Sequence, residues 1–245
     1  MAMYDQFAFI YDRLMSDIPY TKYAEWVQKK APTSAGNKLV DIGCGTGVLS
    51  VQFAKAGYEV IGVDLSEAML TVAQNRSTEN HLSISYICQS MAEMDGIQGM
   101  DIAVIAIDSL NYLETIQEVE QTFQHVFHSL VEGGHLFFDV HSLYKMDEIF
   151  PNGPFTYEDD QVAYIWNTEI GEERHSIYHD ISFFVKDESG YYERFEESHY
   201  QRSFPLESYE NLLKKIGFTS VSVSTSIFEE QSEKEVERIF VHARK

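Results

Sequence analysis

The chain has 245 residues, 44% of them hydrophobic, enough for one packed core with or without a lid, and its longest apolar runs, such as 102–107 and 136–140, are only strand-sized. Its 39 acidic and 18 basic residues give a formal charge of -21, a field that repels polyanions, and no stretch gathers enough Lys or Arg to track a phosphate backbone, so nucleic acid is not an expected partner. Two cysteines, Cys44 and Cys88, make no disulfide framework, and the N-terminus shows no basic region followed by an apolar stretch, so a cytoplasmic chain without membrane contact is expected.

From Tyr4 to Lys30 the apolar residues recur at helical spacing, with Phe7, Ile10, Tyr11 and Leu14 in one run and Tyr23, Trp26 and Val27 in a second beyond Pro19. Two short helices are therefore predicted over residues 1–35. Strands and helices then alternate: a strand at 38–42, a glycine turn, a helix at 48–56, a strand at 59–63, a helix at 67–75, and strands at 84–88 and 102–107. Thr115 with Glu118 reads as a capping box, opening a helix whose buried stripe is Val119, Phe123, Val126, Phe127 and Leu130. Gly133 and Gly134 are expected to end that helix, ahead of a strand at 136–140. This order predicts an α/β, doubly wound, Rossmann-like core with a parallel sheet covered on both faces.

Beyond Ser142 the texture changes. Pro151, Gly153 and Pro154 break the pattern, and strand-like segments at 162–169, 176–185 and 191–202 are separated by hairpin signals at Gly171 with Glu172 and at 187–190. An antiparallel β-sheet lid, inserted over residues 143–203, is predicted. A helix at 206–216, stopped by Gly217, and strands at 220–225 and 237–242 return the chain to the core, which thus comprises 36–142 and 204–245.

The sharpest motif is Asp41-Ile42-Gly43-Cys44-Gly45-Thr46-Gly47, set between a strand and a helix, where glycines allow close backbone approach to a ligand and the helix start offers unpaired N–H groups. Asp64 ends the next strand about 20 residues on, where a carboxylate can accept hydrogen bonds from both hydroxyls of a ribose. The loop reads G-x-G-x-G, not the dinucleotide G-x-G-x-x-G, and Asp41 would repel a pyrophosphate while suiting a ligand with a positive amino group. A nicotinamide-dependent oxidoreductase is disfavoured on these grounds. A non-catalytic binding or regulatory protein that uses the same pocket remains open.

These residues resemble the class I methyltransferases that use S-adenosylmethionine. Residues 41–47 are similar to their first motif, Asp64 to their second, and 101–113 to their strand-four segment, so the resemblance covers about 38–140. More narrowly, Phe9 to Met15, Asp108 to Leu113, and His199-Tyr200-Gln201-Arg202 resemble a group of small bacterial methyltransferases of the YqeM type. The resemblance implies a seven-stranded sheet with the last strand antiparallel, S-adenosylmethionine as cofactor, and methyl transfer to a small-molecule acceptor. It places Gly43, Gly45, Asp64, Met91 and Asp108 in the cofactor site, with Asp41 and Cys44 in the same loop, Leu65 flanking the adenosine, and Tyr11 and Tyr20 closing from the N-terminal side. Many members carry an acidic residue where Ser90 stands; Ser90 offers adenine only a neutral hydrogen bond.

Displacement at a sulfonium needs positioning and exclusion of water first, and a base only where the acceptor must lose a proton. His141, Tyr112 and His199 are the candidates for such a base, and Asn111, Tyr112, His199 and Arg202 for contact with the acceptor. In a regular strand His199 and Arg202 fall on opposite faces. Cys44 is read as a small loop residue without chemistry, and Tyr11, Tyr20 and Trp26 fit a buried helical stripe as well as a site. Asp139 and His141 lack a third ligand at recognisable spacing, so no metal is expected. The block after strand four lacks the Asn/Asp-Pro-Pro-Tyr/Phe signature common among enzymes that methylate base amines. The acidity chiefly describes a solvated surface, with preference for a cationic acceptor as the narrower reading; a homodimer is left open.

Overall fold

A computed structural model describes residues 18–187, 189–227 and 236–245; the first expected helix, with Tyr11, lies outside the described residues. Helix α1 (Tyr20–Lys30) begins after Pro19 and buries Tyr23, Ala24 and Val27, while Trp26 packs edge-on against Phe137 and Phe240, a structural role for that indole. The chain continues through β1 (Lys38–Ile42), α2 (Val48–Lys55), β2 (Glu59–Asp64), α3 (Glu67–Glu79), β3 (Ser85–Cys88) and β4 (Met100–Ile105). Helix α3 outruns its expected end at residue 75, and Ser77 within the added turn lies 2.8 Å from the Tyr86 hydroxyl on β3.

Helix α4 (Ile116–Ser129) opens on the anticipated capping box: the Glu118 N–H donates to Thr115 Oγ1 and the Thr115 N–H donates back to Glu118 Oε2. Its C-terminus differs from expectation. The helix stops at Ser129, and Gly133 and Gly134 lie within β5 (Leu130–His141). The reason is tertiary: Gly133 donates to the Lys245 carbonyl and Lys245 donates to the Gly134 carbonyl, which draws both glycines into the sheet. A Cβ on Gly134 would sit 2.9 Å from the Val131 carbonyl oxygen and 3.2 Å from that of Asp101, so glycine is required there for close backbone approach.

The connection after β5 contains a π-helical turn (Lys145–Ile149) and a 3-10 turn (Phe150–Asn152), followed by β6 (Phe155–Glu158), β7 (Val162–Ile170), β8 (Ser176–Lys186) and β9 (Tyr192–Arg202). Helix α5 (Leu206–Ile216), β10 (Ser220–Ser224) and β11 (Arg238–Arg244) complete the described elements. Seven strands form the main sheet in the order β10-β11-β5-β4-β1-β2-β3. Strands β1 to β5 pair in parallel, and β11 runs antiparallel to both β5 and β10. Apolar residues cover both faces, Phe123, Phe138 and Tyr209 on one and Val27, Phe53 and Phe137 on the other. A second, wholly antiparallel sheet runs β6-β7-β8-β9, with an unbroken register between β8 and β9 from Ser176 opposite Arg202 to Lys186 opposite Tyr192.

The small sheet is tied to the core by buried polar groups. Asn111 donates to the Arg202 carbonyl and accepts from the His141 N–H, and Ser203 Oγ donates to the His141 carbonyl. Among the described residues no helix is long and apolar enough to cross a membrane.

Candidate active site

Strand order reverses between β1 and β4, and at such a switch point the loops leaving the carboxyl ends part to form a crevice. A cleft of about 450 Å³ lies there, lined by Gly43, Gly45, Asp64, Leu65, Ser90, Met91, Asp108, Tyr112 and His199 together with Met69, Gln89 and Ser109. Gly43, at φ +71°, has no room for a side chain: a Cβ would lie 2.6 Å from that of Ser109. Bare backbone at Gly43 thus lets the loop close onto Ser109, whose Oγ donates to the Gly43 carbonyl.

Asp64 is fixed by its own neighbourhood. One oxygen accepts from the Gly45 N–H at 2.8 Å and the other from the Ser66 N–H at 2.9 Å, leaving a lone pair on each for vicinal hydroxyls. Asp41 is buried, 2% exposed, and accepts from Ser50 Oγ at 2.5 Å. It borders a small second cavity shared with Tyr20, Cys44, Thr46 and Ser109. Burial pushes the Asp41 carboxyl up to about 7, and the nearby Asp64 charge adds to the rise, while the Ser50 bond opposes it. Burial also raises the Cys44 thiol, which suits a loop residue without nucleophilic duty. Ser90 Oγ accepts from the Ala92 N–H, so its hydroxyl is engaged in capping the turn that presents Met91.

Asp108 stands on a strained turn: Ile107 and Asp108 are consecutive residues at φ +58° and +52°. Both N–H groups converge on the buried Asp139 carboxylate, at 2.7 and 3.1 Å, which holds the turn in place. Arg238 bridges the two acids, bonding Asp139 through Nη1 and Asp108 through Nη2 at 2.7 Å. Gln201 Nε2 donates to Asp108 Oδ2 at 3.0 Å, and His141 Nε2 lies 3.4 Å from the same oxygen. Burial disfavours the Asp108 charge, but His141 and Arg238 outweigh it and hold the carboxyl well below the usual range.

Three residues expected at the chemistry stand elsewhere. His141 is buried behind Asp108, edge-on to Phe150 at 5.2 Å, outside the cleft lining; burial lowers its imidazole and Asp108 only partly offsets this. Asn111 is fully buried as the staple between core and lid. Arg202 donates to the Glu114 carbonyl, pairs with Glu173 at 2.9 Å and lies over the Phe204 ring, on the face of β9 opposite His199. Tyr112 and His199 do meet at the mouth of the cleft, rings edge-to-face at 5.8 Å. The sequence reading missed Arg238 as the partner of Asp108, since the β5–β11 register that sets Arg238 opposite His141 leaves no local signal.

The donor set fits S-adenosylmethionine: a fixed carboxylate suited to ribose hydroxyls, a buried carboxyl on the neighbouring small cavity suited to an amino group, and the apolar side chains of Leu65, Met69 and Met91 lining the cleft. Among the described residues no three His, Cys, Asp or Glu side chains gather to hold a metal.

Comparison with known proteins gives the same direction. Residues 39–134 match the family model described as a methyltransferase domain. The chain is 41% identical to a putative methyltransferase, YqeM, of Bacillus subtilis (strain 168), over 99% of this chain and 97% of the relative. It is 30% identical to an S-adenosylmethionine-dependent methyltransferase of known structure from Clostridium acetobutylicum ATCC 824, with a TM-score of 0.89 over 98% of each chain. A sugar N-methyltransferase from Streptoalloteichus sp ATCC 53650 shares the fold at 20% identity, with a TM-score of 0.78 over 97% of this chain and 92% of the other.

Proposed function

Because the chain belongs to the family of S-adenosylmethionine-dependent methyltransferases of the YqeM type, we propose that it methylates a small molecule held between the cleft mouth and the four-stranded sheet. The observation that carries this reading is the continuity of the cleft, which runs from Asp64 and Met91 on the core to Tyr112 and to His199 on the inserted sheet. S-adenosylmethionine, when bound, supplies a methyl group already activated by its sulfonium. Asp64 would take the ribose hydroxyls, Asp41 the amino group, and Leu65, Met69 and Met91 the apolar flank of the nucleoside. Asp108, locked by Arg238 and Gln201, shapes the floor where the two ligands meet, and Tyr112 and His199 orient the acceptor and exclude water. The sugar N-methyltransferase that shares the fold supports a small acceptor.

The test is to incubate the protein with methyl-labelled S-adenosylmethionine and a heat-treated whole-cell extract that keeps both small molecules and macromolecules, and to separate the products by size. Label should move into a small molecule as S-adenosylhomocysteine accumulates. Label recovered only in macromolecules would refute the small acceptor, and no release of S-adenosylhomocysteine would refute transfer itself.

A further inference from the structure

The ionisable acidic and imidazole side chains that line the cleft are Asp64, Asp108 and His199, with no lysine or arginine among the described lining residues. Arg238 spreads one positive charge over both Asp108 and Asp139, and Asp64 faces the ribose, so the negative charge left toward the acceptor comes from the Asp108–Asp139 pair on the core and from Glu197 beside His199. Glu197 stands two residues before His199 on β9, hence on the same face, and its Oε2 is 3.8 Å from His199 Nε2. The Tyr112 phenol records the same field: desolvation raises it first, and Asp108, Asp64 and Glu197 each raise it further. Its ring and that of His199 meet edge-to-face and make an aromatic rim around this negative site. An anionic acceptor would face these carboxylates and a neutral alcohol would gain little, whereas an ammonium group is drawn in by Asp108 and Glu197, which offset its repulsion from the cofactor's sulfonium, and it can rest on the aromatic faces.

We infer that the acceptor is a small amine, protonated in solution, that His199 takes its proton, and that Glu197 is the positioning residue that holds the charged imidazolium. This rests on the methyl-transfer reading above. The ammonium gives one proton to His199 Nδ1, the ring nitrogen not facing Glu197. The freed nitrogen lone pair forms the N–CH3 bond as the methyl–sulfur bond breaks and its electron pair returns to sulfur. The product leaves as an N-methylammonium ion, and the proton on His199 passes to solvent, to which the ring is about one-third exposed.

The experiment uses the full chain and matched probes: 2-aminoethanol, putrescine, glucosamine and tyramine against ethylene glycol, 1,4-butanediol, glucose and tyrosol. Calorimetry with S-adenosylmethionine comes first, since absence of that binding would sink the parent reading and this one with it, whereas the later outcomes bear on this one alone. With cofactor binding in hand, at least one amine should bind the S-adenosylhomocysteine complex and be methylated, while its alcohol counterpart does neither. Glu197→Gln should weaken amine binding and raise KM about tenfold, about 1.4 kcal/mol. His199→Ala should lower kcat about 100-fold at pH 7. That defect should shrink toward pH 10, where solvent already supplies the free amine, a recovery that a purely structural role of His199 would not give. Methylation of the alcohols, failure of every amine to bind the cofactor-loaded protein, or an equal His199→Ala defect at both pH values would overturn the inference.

Discussion

Replacing Asp41 by Asn should remove one defined source of pH dependence from both stability and cofactor binding. The Asp41 carboxyl is raised from 3.8 to about 7 by burial, so between those values the folded protein holds a proton that the unfolded chain has released. The associated stability is fully present below pH 3.8 and is lost as pH rises through about 7, where the buried group must carry charge. A rise of about 3 units at 1.36 kcal/mol each corresponds to ~4 kcal/mol. Asn keeps an oxygen to accept from Ser50 Oγ and carries no charge, so the variant should match the parent near pH 4 and exceed it by up to ~4 kcal/mol at pH 8. The difference between the two proteins is the quantity to read, because buried His179 and half-buried His242, each lowered to about 4, act with the opposite sign in the same window. Urea unfolding of the apoproteins at pH 4, 5.5, 7 and 8 measures it. The cationic amino group of S-adenosylmethionine should then drive Asp41 to ionise, so binding at pH 6 should release a proton. Calorimetry in two buffers of different ionisation heat detects that release, and Asp41→Asn should abolish it while weakening binding. A stability difference that stays flat from pH 4 to 8, or binding without proton release, would refute the reasoning.

Three further outcomes follow from the packing. Arg238→Met leaves the carboxylates of Asp108 and Asp139 without their shared cation and should cost about 3–5 kcal/mol by chemical unfolding. Because Asp108 is depressed in the fold, its contribution is present above its unfolded value and lost as pH falls, so that deficit should narrow toward acid pH; a deficit independent of pH would contradict the ion-pair account. Thr115→Ala removes one half of the capping box and should cost about 1 kcal/mol without touching cofactor affinity. Gly134→Ala places a methyl group 2.9 Å from the Val131 carbonyl oxygen and should destabilise by about 1–3 kcal/mol, and an unchanged thermal midpoint would show that β5 has room there.

Features coded over a few residues were legible in the sequence, and those set by register were not. The glycine loop, the strand-end Asp64 and the capping box at Thr115 each stand where the local sequence places them, because neighbouring residues supply the geometry. Gly133 and Gly134 looked like a helix stop, yet pairing with Lys245, more than a hundred residues away, makes them strand. His141 and Asn111 carry polar groups suited to chemistry, but where β5 and β9 come together they are turned into buried joints. Strand β6 is only four residues long and follows Pro154, so no periodicity announced it; it exists because β7 offers an edge. Tyr112 and His199 were both proposed from their positions, but only the docking of the small sheet brings their rings together.

The most direct measurement is a calorimetric titration of the purified protein with S-adenosylmethionine, with NADH as control and Asp64→Ala beside it. Saturable binding of S-adenosylmethionine alone, weakened about 100-fold or more in the variant, is the result expected if Asp64 makes two charge-assisted bonds to a ribose. Saturable binding of NADH, or equal affinity of both proteins for S-adenosylmethionine, would contradict the assignment of this cleft.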